Sequence, residues 1–95
     1  MADIDITSRH DLGTEAAARA EVEQLAESLI ARFGGRWSWR GDVAECEIRG
    51  AKGQVTCTAD EVRMVVRLPL MMRALRGPLE REIRRQFDLH FRRPA

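Results

Sequence analysis

Four side chains here are of types that build active or metal sites: His10, Cys46, Cys57 and His90. Two thiols and two imidazoles could supply the roughly four ligands of a zinc site. Their placement does not favour one, because neither histidine stands at a metal-ligand spacing from the cysteines. Nucleophilic catalysis needs a base within reach of a hydroxyl or thiol. No serine and no buried carboxylate is placed by sequence beside His10 or His90. The expectation is therefore structural. The thiols act as small buried hydrophobes, His10 as a turn residue and His90 as a surface residue closing a helix. No cofactor and no enzymatic activity are expected.

Contact chemistry is better represented. Trp37 and Trp39 share one side of a strand. With Met64 they are candidates to line an apolar pocket for an acyl-like ligand, although paired tryptophans also fill cores. Leu70, Met71, Met72 and Leu75, with Arg73 and Arg76 beside them, make a second candidate. Methionine-rich apolar stretches suit adaptable contacts. With flanking arginines such a stretch can meet a lipid-like surface or a second subunit. The alternative is a connector buried under the core. Arg81, Arg84 and Arg85 could grip phosphates, as in double-stranded-RNA-binding and ribosome-hibernation folds of related element order. The glycine and lysine signatures of those folds are not visible, so RNA binding rests on fold analogy alone.

The elements that must position these residues follow from periodicity. Asp3 to Ser8 alternates, with Ile4 and Ile6 on one side, and reads as a short strand. Thr14 can cap a helix over Glu15 to Phe33. In that helix Ala18, Val22, Leu25, Leu29 and Phe33 recur at helical spacing, and Gly34-Gly35 ends it. Arg36 to Leu68 reads as four strands. A Gly41-Asp42 turn sets Trp39 against Ala44, Trp37 against Cys46 and Arg36 against Glu47. A turn over Gly50 to Gly53 sets Ile48 against Val55 and Cys46 against Cys57. A turn at Asp60-Glu61 sets Ala59 against Val62, Cys57 against Met64 and Val55 against Val66. All three turns leave the apolar residues on one face, as a period of two demands. Pro69 stops the last strand, and Leu70 to Arg76 is a connector with room for one helical turn. Gly77-Pro78 then starts a helix that buries Leu79, Ile83, Phe87 and Phe91, with Arg92 and Arg93 after its end. The fold class is α+β: a two-layer sandwich of order β-α-β-β-β-β-α, with a mainly antiparallel sheet and both helices on its apolar face.

Size and charge bound the rest. Ninety-five residues suit a single domain. Sixteen basic residues against fifteen acidic ones argue against a general nucleic-acid binder. The charge is uneven: residues 1–35 hold three basic and seven acidic residues, and residues 69–95 seven arginines and three acids. Helices packed side by side with complementary flanks account for this. No apolar run is long enough to span a membrane. The acidic start, Met1-Ala2-Asp3-Ile4-Asp5, is unlike a signal peptide. Together with the two cysteines, this sets the expectation of a reducing cytoplasm. Edge strands of an open sheet can pair between subunits, so a homodimer is also expected.

Several short motifs are similar to those of one family. His10-x-Leu12-Gly13 before an alanine- and glutamate-rich helix ending in Phe33-Gly34, then Trp39-x-Gly41-Asp42, Gly53 and Gly77-x-Leu79-Glu80-x-x-Ile83-Arg84, resemble the polyhydroxyalkanoic acid system family over nearly the whole chain. Pro78 and the paired Met71-Met72 depart from its pattern. The resemblance implies a small, bacterial, cytoplasmic protein connected with polyhydroxyalkanoate granules and carries over no catalytic residue. The function expected is that of a non-enzymatic accessory protein. Its partner would be a granule surface, a granule-associated protein or another copy of itself, met through Leu70 to Arg76.

Overall fold

The computed structural model describes residues 2–91. Arg92 and Arg93, expected after the last helix, lie outside the described residues. The chain runs β1 (Ile4–Arg9), α1 (Glu15–Phe33), β2 (Arg36–Arg40), β3 (Val43–Ile48), β4 (Ala51–Cys57), β5 (Glu61–Arg67), a 3₁₀ helix (Leu70–Leu75) and α2 (Arg76–Phe91). The strands form one antiparallel sheet in the order β1-β5-β4-β3-β2. β1, whose place the sequence does not indicate, sits at the edge beside β5. The α+β sandwich and its element order are as expected.

One face of the sheet is apolar because side chains alternate along every strand. Ile4, Ile6, Ala44, Cys46, Val55, Val62, Met64 and Val66 are all buried on it. Val22, Leu25 and Leu29 of α1 and Ile83, Phe87 and Phe91 of α2 close over them. Thr14 caps α1, its hydroxyl accepting from Ala17 N at 3.1 Å. Gly34, with φ of 78°, ends it by donating to Ile30 O. The other face carries Arg36, Glu45, Glu47, Lys52, Gln54 and Arg63, and among the described residues no helix covers it.

The hairpin at Gly41-Asp42 has the expected register, with Trp39 opposite Ala44 and Trp37 opposite Cys46. The next two turns differ from expectation. β3 and β4 are joined by Arg49-Gly50 alone, so Ile48 faces Ala51, Ala44 faces Val55, and Cys46 faces Gly53 rather than Cys57. Arg49 and Gly50 both take positive φ, at 51° and 89°. That is the backbone of the two-residue turn whose twist matches the strands. The turn frees Gly53 to enter the strand, where a Cβ would meet Met64 Cε at 3.2 Å. The β4–β5 loop is Thr58 to Asp60, so Cys57 faces Val62 and Val55 faces Met64. The Thr58 hydroxyl closes this loop by accepting from Asp60 N and Glu61 N. The expected rows of paired residues are thus corrected: Ala59, expected opposite Val62 on the apolar face, is an exposed loop residue, while the residues that remain in strands keep their expected face.

The second helix begins at Arg76, earlier than the expected start at Pro78. The 3₁₀ helix runs straight into it, Arg76 already having helical φ and ψ. Pro78 lies within the first turn of α2, where its missing N–H leaves no intrahelical bond unmade.

Candidate functional site

The connector after Pro69 is tethered at its start and carries exposed apolar side chains. Its 3₁₀ helix starts where Met72 N donates to Pro69 O at 2.9 Å. Leu68 N, just before it, donates to the Asp3 carboxylate at 2.8 Å, and Arg73 reaches the same carboxylate at 3.8 Å. Met72 turns inward and packs against the core. Leu70 and Met71 turn outward and are 81% and 87% exposed, with Leu75 at 53%. A 3₁₀ helix cannot bury all three sides of an apolar run, because its side chains eclipse every third residue.

Beside this helix lies an apolar groove of ≈ 220 Å³. Phe33, Ile48, Met72, Leu75, Pro78 and Leu79 line it, with Arg32 and Arg49 at its rim. Four elements meet there: the end of α1, the β3–β4 turn, the 3₁₀ helix and the first turn of α2. Arg32 is engaged by Glu82 at 3.1 Å. Among the described residues, Arg49 and Arg76 have no acidic partner. The six sequence candidates, Leu70, Met71, Met72, Arg73, Leu75 and Arg76, therefore share one corner of the molecule. Sequence reasoning missed the residues across the groove, Phe33, Ile48 and Arg49, because they come from elements distant in the chain.

Of the other candidate pocket, Trp37 and Met64 line different cavities. Trp37 and Trp39 pack edge to face at 6.1 Å on strand β2. The Arg19 guanidinium stacks 4.0 Å over Trp39, and Trp39 Nε1 donates to Glu23 at 2.7 Å. These contacts fasten α1 to the sheet edge. Met64 instead lines a cavity of ≈ 20 Å³ with Cys46, Gly53, Leu29 and Ile83, and neither tryptophan reaches it. That volume holds about one water and no acyl chain.

Both cysteines are free. Burial pushes the Cys46 thiol up to about 11, and burial also raises Cys57. Neither is a thiolate near neutrality, so neither has the form that attacks or binds metal. Among the described residues no group of three or more His, Cys, Asp or Glu side chains is placed to hold a metal ion.

The histidines are better connected than the sequence implies. His10 is a buried turn residue, 3% exposed. Its Nδ1 accepts from Leu12 N at 3.2 Å, so Nε2 carries the proton and donates to Thr58 O at 3.1 Å. His90 is not a bare surface residue. Its Nδ1 meets Glu21 at 2.6 Å and its Nε2 meets the Ser28 hydroxyl at 3.2 Å. The expectation of a surface residue with no serine beside it is thereby corrected. Glu21 and Ser28 are seven positions apart on α1 and so share a face, which is the signal that could have revealed them. The order serine–histidine–carboxylate is that of a hydrolytic triad. Hydrolysis also needs donors for a developing oxyanion. The amide of Ser28, in the middle of α1, is committed to the helix. The three groups tie the last turn of α2 to α1.

The arginines considered for phosphate are largely neutralised within α2. Arg84 pairs with Glu80 and Arg85 with Glu82. Glu82 is held down to about 2, chiefly by hydrogen bonds from Arg85 and Gln86 and further by the charge of Arg32.

With the groove and the connector in view, comparison with known proteins decides the family. Residues 4–91 match the family model described as "Putative polyhydroxyalkanoic acid system protein". The chain belongs to that family. No curated protein and no solved structure matches it. Family membership agrees with the sequence motifs. Among the described residues, no helix of this family member is long and apolar enough to cross a membrane.

Proposed function

We propose that this chain is a non-enzymatic accessory protein of the polyhydroxyalkanoate system, and that it docks on the granule surface through the 3₁₀ helix and the adjoining groove. The observation that carries the proposal is the exposure of Leu70 and Met71, at 81% and 87%, on a segment anchored at both ends. Burying such a side chain against an apolar surface is worth about 1.5–3 kcal/mol. Arg49, Arg73 and Arg76 surround the patch and would hold it against anionic groups at the boundary of that surface. Membership of a polyhydroxyalkanoic acid system family supplies the choice of surface.

Fractionation of granule-containing cells tests this. The protein is expected in the granule fraction, and Met71→Glu is expected to move it to the supernatant. A protein found wholly in the supernatant, or one whose granule share is unchanged by Met71→Glu, overturns the proposal.

A further inference from the structure

The sheet has two edges, and they are built differently. β2 carries Arg36, Ser38 and Arg40 on its uncovered face. Pairing it with a second copy of itself about Ser38 would set arginine against arginine twice, and like charges directly opposite are destabilising. β1 carries Asp5, Thr7 and Arg9 on that face, all exposed. Here self-pairing about Thr7 sets Asp5, which pairs with Arg63 of its own chain, against Arg9 of the second copy, whose own-chain partner is Asp60, twice, with Thr7 against Thr7 between them.

The backbone of β1 has the matching parity. His10 N donates to Asp60 O at 3.0 Å, so positions 10, 8, 6 and 4 turn their polar groups toward β5 in the observed register. Asp5, Thr7 and Arg9 therefore turn theirs outward. These are the residues that the Thr7-centred register would place in hydrogen-bonded pairs, each exchanging two backbone bonds. The space beside the strand is open. A concavity of ≈ 600 Å³ is lined by Asp5, Ile6, Thr7, Glu61, Arg63 and Arg84. Arg84 belongs to the helix layer and Arg63 to the opposite face, so this concavity passes around the outer edge of β1.

From this self-complementarity we infer that β1 is a pairing edge for a second copy of the chain, joining two sheets antiparallel into one continuous sheet. The arrangement is isologous, as a two-fold dimer requires. It leaves the 3₁₀ helix and groove of each copy outside the shared strands.

Sedimentation of the full chain over a range of concentrations tests the inference, together with hydrogen exchange. A dimer is expected, with the amides of Asp5, Thr7 and Arg9 becoming protected as concentration rises. Thr7→Pro removes an outward N–H, a position where an edge strand tolerates proline, and is expected to give a monomer. Arg9→Glu sets acid against Asp5 of the second copy, keeps every β1–β5 backbone bond while giving up the exposed Arg9–Asp60 ion pair, and is also expected to give a monomer. A chain that stays monomeric at all concentrations overturns the inference. So does a dimer that survives both substitutions, or one dissociated by Met71→Glu instead, since that outcome places the contact at the connector.

Discussion

His10 shows how much a single side chain can carry in this small domain. It links the β1–α1 loop to the β4–β5 loop through Leu12 N and Thr58 O, and its ring lies 5.8 Å from that of Phe91. Removing it leaves the part-buried backbone groups Leu12 N and Thr58 O without this side-chain partner, and a space against Phe91. His10→Ala is expected to cost about 2–4 kcal/mol, measured as a lower denaturant midpoint with an unchanged slope. His90 is a lesser tie, because Glu21 and Ser28 can turn to water when it is gone. Both histidines thus link elements of the fold. Their roles were only half legible, since a histidine's partners come from other elements and leave no local trace.

At the scale of elements, the two helices are fastened by Glu82. It accepts from Arg85 and Gln86 on its own helix and pairs with Arg32 of α1. Its acidity is shifted from 4.5 down to about 2. A group depressed on folding adds stability above its ordinary value and loses that contribution as pH falls toward the folded value. Wild type is therefore expected to be more stable than Glu82→Gln near neutrality. The gap should close as pH falls from 4.5 toward about 2, which denaturant titrations of both proteins across that range would show. The strands teach a complementary lesson. The face of every sheet residue was legible because the misplaced turns shifted the pairing by even numbers of residues, and only an odd slip exchanges faces. The turns themselves were not. Arg49 gives no sign in sequence that it will take a positive φ, and Gly53 looks like a turn residue while serving as a gap for Met64.

For the molecule as a whole, the apolar residues divide into those the two layers consume and those they leave over. Val22, Leu25, Leu29, Met64, Ile83 and Phe87 fill the sandwich so completely that the cavity beside Met64 has a volume of only ≈ 20 Å³. Leu70 and Met71 remain outside it, next to a groove rimmed with arginine. Their position after Pro69 was legible in sequence, whereas their exposure was not, because it depends on how the 3₁₀ helix runs into α2. Docking through these residues is the central claim. Co-sedimentation of the purified chain with amorphous polyhydroxybutyrate particles tests it most directly, comparing wild type with Met71→Glu. Since Met71 supports no core contact, both proteins should unfold at the same midpoint. Wild type is expected to pellet with the particles, and Met71→Glu to bind about tenfold more weakly or worse. Equal pelleting of the two proteins, or no pelleting of wild type, would contradict docking through these residues.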